Sequence, residues 1–362
     1  MTRTAVVLFT RDLRGHDHPA LAAARRDCAR VVPLFVLDDR LLAVSTRRTG
    51  LLLSRLAQLR EAIGLVVVQG DPVEQVARFE PDGVYVSEDV SAYARRRERR
   101  LRERFALRTL PGITVVPPGE LAPAGRGCYR VFTPYWRVWR AHPLPAEVSS
   151  GPRLPEPEAP LSALLHLGIA SPAEVARGAD EDLLRKLCWR DFFAQLLAAE
   201  PELEWRDMHA GRRMWRDDPE AVAAWKEGRT GVPFVDAAMR QLLAEGYMPN
   251  RQRMVASSYL TKDLGVDWRM GAAHFREHLV DGDVSSNSGN WQWVAGTGAD
   301  TRPNRRFNPK RQARLHDPDG AYVRRWVAEP ASLSAARIHD PAPAECRELG
   351  YAHAVVPAAN AK

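Results

Sequence analysis

Hydrophobic residues in the first third of the chain fall in short unbroken runs rather than in alternation. The runs AVVLF (5–9), VVPLFVL (31–37), LVVVQ (65–69), VYV (84–86) and ITVV (113–116) have the pattern of strands covered on both faces. Between them the period is helical: in LLLSRLAQLREAI, Leu52, Leu56, Leu59 and Ile63 share one face. Strand–helix alternation at these lengths predicts an α/β domain built on a doubly wound, parallel, five-stranded sheet. Beyond residue 160 the helical period takes over, as in DEDLLRKLCWRDFFAQLLAA, and predicts an all-α domain. There DDPEAVAAWKEG offers Asp218 as N-cap, Pro219 in the first turn and Gly228 past the end, while Gly246 and Gly265 close two further helices.

Composition divides the chain further. Residues 1–130 form the α/β domain, and 131–160, which include the Pro-, Ser- and Gly-rich AHPLPAEVSSGPRLPEPEAP, read as an interdomain linker. Residues 161–335 form the helical domain, and 336–362 are a tail without legible chemistry. Among 362 residues, 52 Lys and Arg outweigh 45 Asp and Glu, a balance that suits a polyanionic partner. The four cysteines have neither metal nor redox-motif spacing. No secretory signal and no apolar run of about 18 residues is present, so the expectation is a soluble, cytoplasmic protein with no membrane span.

Several motifs carry less than they promise. G-x-G-x-x-G, the P-loop and G-x-S-x-G are all missing. YARRRERRLRERF (93–105) reads as a solvated helix with i,i+4 pairs. His274 and His278 stand four apart but not in the H-E-x-x-H order, so they read as a solvated helix face and no metal is expected. Asp281 and Asp283 resemble a D-x-D clamp, but Val, Ser, Ser and Asn follow, where a hard cation wants more oxygen ligands.

The tryptophans are more informative. None occurs in the first 130 residues, whereas Trp189, Trp205, Trp215, Trp225, Trp268, Trp291, Trp293 and Trp326 crowd the second half. Indoles fill cores, and they are also among the side chains most easily oxidised by one electron. Two of them sit in DGDVSSNSGNWQWVAGTGAD (281–300), a segment too rich in Gly and Ser to be regular by its own propensity. Something else must hold it. In NRQRMVASSYL, Arg251 and Met254 share a helical face suited to a phosphate and a base.

At this point LFTRDLRGHDHPAL (8–21), CYRVFTPYWRVW (128–139), LCWRDFF (187–193), GVPFVDAAMRQL (231–242), NRQRM (250–254), DWR (267–269), the 281–300 segment and RRFNPKRQ (305–312) resemble the photolyase/cryptochrome family, in particular bacterial cyclobutane pyrimidine dimer photolyases. The resemblance implies an α/β antenna domain, an FAD-binding helical domain, and light-driven splitting of pyrimidine dimers in damaged DNA by electron transfer from reduced FAD. It implies a monomer, and a cryptochrome-like photoreceptor or DNA-binding relative without repair is the alternative. Trp291, Trp268 and Trp215 match the family's electron chain. Asn287 matches the residue facing flavin N5, and Leu161, Ser162, Arg190, Arg253, Asp281, Gly282 and Asp283 match cofactor contacts, with Arg253 the expected partner of Asp281. Trp189, Asn250, Arg251, Met254 and Trp293 match the DNA side. The chain departs from the family at Lys186, where a Glu that bonds the dimer is usual. Glu158 and Ala159 replace a Thr-Ser pair at the FAD phosphates. Ala94 replaces the Glu of a folate antenna site, which leaves the second chromophore, deazaflavin or folate, open.

Overall fold

The computed structural model describes residues 3–38, 46–125, 127–209, 214–302 and 305–352. The chain forms two compact units. The first contains residues 1–204 and 280–286, the second 205–279 and 287–362.

The first unit is built on a five-stranded sheet: β1 (Thr4–Phe9), β2 (Arg30–Leu37), β3 (Val66–Gln69), β4 (Gly83–Ser87) and β5 (Leu107–Leu110), in the order β3-β2-β1-β4-β5 with every pairing parallel. That is the doubly wound arrangement expected from the alternation of runs. The helices α1 (Pro19–Asp27), α2 (Thr46–Ile63), α3 (Pro72–Ala77) and α4 (Ala92–Arg104) connect the strands. Val6, Leu8, Val32, Leu34, Val36, Val84 and Val86 form the sheet's core with Val73, Val76 and Leu101 from the helices. Continuous apolar runs were needed because both sheet faces are covered.

One strand falls elsewhere than expected. The fifth is LRTL (107–110), not ITVV (113–116). Ile113, Val115 and Val116 are buried, but the Val115 and Val116 amides donate to the Asp191 carboxylate, which also accepts from Trp139 Nε1 at 2.9 Å. A side chain thus takes the amides that a neighbouring strand would otherwise bond.

The Pro-rich stretch before residue 161 is tied down. Ser150 Oγ accepts from the His18 amide and donates to the Gly15 carbonyl, Val148 N donates to Asp17, and Arg55 reaches the Pro155 carbonyl. The helices α5 (Phe132–Ala141), α6 (Leu161–Leu167), α7 (Pro172–Arg177) and α8 (Glu181–Ala199) also belong to this unit. Gly168 ends α6 at φ +66, and a Cβ there would stand 2.0 Å from the Arg11 carbonyl oxygen. Only glycine allows the loop after β1 to lie so close.

The second unit is helical: α9 (Pro219–Glu227), α10 (Pro233–Glu245), α11 (Asn250–Ser258) with a π turn at Tyr259–Asp263, α12 (Trp268–His278), then α14 (Pro309–His316), α15 (Ala321–Trp326) and α16 (Pro343–Glu348), with α13 (Val284–Ala295) beginning in the first unit's segment and continuing here. The expected caps are in place. Asp218 accepts from Ala221 N, and Gly228 and Gly246 adopt left-handed C-cap geometry. The described part of the tail is tied to the helical unit, with Tyr351 Oη bonded to the buried Asp236. The rest of the tail lies outside the described residues.

Candidate functional site

The segment that opens α13 is helical despite its composition. Asp283 acts as its cap, its Oδ2 accepting from Ser285 Oγ at 2.7 Å and from the Ser286 amide at 2.8 Å. A charged acceptor at a helix N-terminus compensates for poor propensity.

Asp283 is also the centre of an ionic cluster in the first unit. Arg11 Nη2 forms an ion pair with its Oδ1, Arg11 Nη1 lies 3.5 Å from Asp89, and Arg11 Nε donates to the His166 carbonyl at 3.1 Å. Burial would push the Asp283 carboxyl up, but the charges of Arg11 and then Arg190 outweigh it and hold the carboxyl well below the usual range. Burial, reinforced by Arg11 and Arg48, pushes the His166 imidazole down to about 3 and keeps it neutral. Asp281 and Gly282 are buried beside Asp283 in sequence. Arg11 and Arg190 therefore gather with carboxylates just beyond the end of β1, with Arg48 acting on the adjacent His166, an environment whose cations suit a diphosphate.

On α8 the expected residues separate by environment. Arg190 is half-buried and donates to the Leu165 carbonyl at 3.2 Å and to the Ile113 carbonyl. Trp189 stacks on Phe132, ring centroids 3.7 Å apart and 3° from parallel, with its edge to Phe192. Lys186 is exposed and paired with Asp182 one turn away at 2.6 Å. Leu161 and Ser162 open α6, Ser162 exposed.

In the second unit the three tryptophans of the expected electron chain share one apolar cluster, Trp268 and Trp291 inside it and Trp215 packed against it. Trp291 is enclosed so tightly that a Cβ on Gly271 would stand 2.1 Å from its Cη2. Phe275 and Trp225 meet it edge-on at 4.9 and 5.9 Å. Its buried Nε1 has no hydrogen-bond partner among the described residues. Trp268 Nε1 donates to Asp207 Oδ1 at 2.8 Å, and the Arg269 guanidinium lies over its ring at 4.8 Å. Asn287 Nδ2 donates to the Ala272 carbonyl at 2.8 Å. That bond fixes the amide plane and leaves Oδ1 as its acceptor.

The helix of NRQRM holds three of the expected DNA-side residues, Asn250, Arg251 and Met254, while Trp293 lies on α13. Arg251 lies over Phe307, Asn250 is exposed beside the Met254 sulfur, and Trp293 sits 6.3 Å from Phe307 under the Arg305 guanidinium. Arg253 donates to the Met248 carbonyl and lies over Tyr247.

Two expectations need correction. The Arg/Glu helix α4 is not merely solvated: Arg97 and Glu98 are buried with Ala94 and Leu101, the last in the sheet's core, and different sides of the helix line two cavities of about 500 and 420 Å³, the second including Asp38, Tyr93, Arg96 and Arg97. Likewise His274 is buried against Trp225 rather than solvated, and that burial pushes its imidazole down to about 3. Sequence reading also passed over Arg11 and Asp207. Arg11 lies inside the quoted LFTRDLRGHDHPAL motif, but only the fold shows a partner 272 positions away.

A flavin nucleotide needs cations at its diphosphate, polar groups at its ring edge and an apolar wall. In the first unit the ionic cluster offers cations for a diphosphate, and in the second Asn287 and the enclosed indole offer a polar edge and an apolar wall, so each unit taken by itself holds residues that fit a part of the group.

Comparison with known proteins agrees. A profile described as the FAD binding domain of DNA photolyase matches residues 183–361, and one described as DNA photolyase matches residues 5–158. The deoxyribodipyrimidine photo-lyase of Streptomyces griseus is 40% identical, over 93% of this chain and 92% of its own. The crystal structure of a bacterial class III photolyase from Agrobacterium tumefaciens superposes with a TM-score of 0.85 at 28% identity, covering 99% of this chain and 95% of that one. That of an archaeal photolyase from Sulfolobus tokodaii with two FAD molecules gives 0.86 at 27% identity, with coverage of 98% and 96%. Fold and site thus define an FAD-binding protein with an α/β unit and a helical unit. The chain belongs to the photolyase/cryptochrome family. Among the described residues no helix is long and apolar enough to cross a membrane.

Proposed function

We propose that this protein is a light-driven DNA-repair lyase that splits cyclobutane pyrimidine dimers, acting as a cytoplasmic monomer. The observation that carries the reading is the indole core, in which Trp291, Trp268 and Trp215 share one apolar cluster. FAD, when bound, supplies the light-driven electron. In the first unit Arg11, Arg190, Leu161 and Ser162 would hold its phosphate end and Asp281, Gly282 and Asp283 would contact its ring region, and in the second Arg253 would serve as a further cofactor contact. Asn287 keeps its amide plane through Ala272 and would offer Oδ1 as an acceptor to the ring edge of the group.

Trp291, Trp268 and Trp215 pass an electron inward and leave the oxidised site on the outermost indole. Trp189, Trp293 and Met254 give flat or soft contact to the two pyrimidine faces of a flipped dimer. Arg251 and Asn250 engage the strand, the arginine at a phosphate. Lys186 donates to a dimer carbonyl in place of the usual acid, which requires it to leave Asp182. A second chromophore, if carried, is not a folate held by a carboxylate at residue 94, because that residue is an alanine.

The exposed, ion-paired Lys186 also supports a second reading, a flavin-binding photoreceptor that binds DNA without repairing it. Blue light on dimer-containing DNA separates the two. Restored undimerised bases with wild type support the lyase, and light-independent DNA binding without restoration supports the photoreceptor. Trp291→Phe should abolish photoreduction of the bound flavin, and unchanged photoreduction would remove Trp291 from the chain.

A further inference from the structure

The last turn of α12 carries a cluster that neither the flavin site nor the electron chain uses. His274, Glu277 and His278 each offer a ligand atom, and these atoms all lie within 4.8 Å of one another. Their spacing of three and four residues places them on one helical face. The two imidazole rings stand 4.4 Å apart. His274 is 5% exposed, and its Nε2 has no hydrogen-bond partner among the described residues. A buried ring nitrogen without a partner is uncommon in a folded protein and calls for a missing ligand.

The donor set narrows the choice of ligand. Two imidazoles and one carboxylate suit borderline first-row dications, whereas Ca²⁺ and Mg²⁺ want oxygen alone. Tetrahedral coordination at the usual bond lengths brings donor atoms to roughly 3.4 Å from one another. Exposed Glu277 and half-buried His278 can close that distance while His274 stays fixed.

We propose that His274, Glu277 and His278 bind a transition-metal dication of the zinc class, with the fourth position left to water. The bound ion ties two surface side chains to a buried one and clamps the last turn of the helix just before Leu279.

The test uses the full chain without a polyhistidine tag, stripped by chelator and titrated with Zn²⁺ by calorimetry. One site of micromolar order is expected, together with a rise in Tm on adding Zn²⁺. His278→Ala changes a half-exposed side chain, so the fold survives. It should weaken binding at least tenfold and remove the Tm rise, and Glu277→Gln should weaken binding less. No binding up to millimolar Zn²⁺, or equal affinity in His278→Ala, overturns the proposal.

Discussion

Replacing Arg11 by Met tests whether the ionic cluster is a built site or a surface accident. Arg11 Nη2 pairs with Asp283, whose side chain is 8% exposed, and Arg11 itself is 18% exposed. Removing one partner of such a buried pair costs about 3–5 kcal/mol, because the other charge stays desolvated. Arg190 also acts on Asp283 and offsets part of the loss, so about 3 kcal/mol is expected. At about 2–4 °C per kcal/mol for units of this size, Tm should fall by roughly 6–12 °C.

The pH dependence has a definite sign. The folded-state carboxyl of Asp283 is held below its unfolded value, so its contribution is present above about pH 4 and is lost as pH falls toward the folded value. In Arg11→Met the folded value rises, and that part of the acid-side loss shrinks. The assay is thermal and urea unfolding of wild type, Arg11→Met, Asp283→Asn and the double variant from pH 3 to 8. A coupling energy of about 2 kcal/mol or more supports the pair. Additive losses, or an Arg11→Met loss below about 1 kcal/mol, refute the reasoning.

Two further outcomes follow from single contacts. Burial raises the Asp191 carboxyl from 3.8 to about 6, against its bonds to Val116, Trp139 and Val115, which is worth about 3 kcal/mol. That stabilisation is full below pH 4 and gone above about pH 6, so Asp191→Asn should flatten the stability profile between those values in urea titrations, and a persisting slope there would assign it to another group. Asp207→Asn replaces the charged acceptor of the Trp268 indole with a neutral one. Flavin photoreduction should slow several-fold, and the Trp268 Nε1 proton should shift in NMR spectra; an unchanged rate with a shifted proton would leave Asp207 a structural role only.

The parallel sheet could be read from the chain because each of its first four runs is apolar on both faces. ITVV has the same composition, yet its amides belong to Asp191, and no local pattern separates an amide bonded to a strand from one bonded to a side chain. Helix ends were legible where a cap residue and a closing glycine bracket a period, as at Asp218 and Gly228. Helix α13 was hidden, since its propensity is poor and its start depends on Asp283, itself fixed by a residue near the N-terminus. The indoles could be listed from the sequence, but their sharing of one core could not. Arg11 and Asp207 were missed for a common reason: each acts on a side chain far away along the chain.

Residues 280–286 belong by their contacts with the first unit, although second-unit sequence flanks them on both sides. Neither unit is therefore a contiguous stretch that a cut could release whole. A fragment ending at Glu204 would keep Arg11 and lose the carboxylate it was shaped to meet. Shuffling these units between relatives as simple N- and C-terminal halves would break that partnership, so successful chimaeras must carry the seven-residue insert across with the sheet.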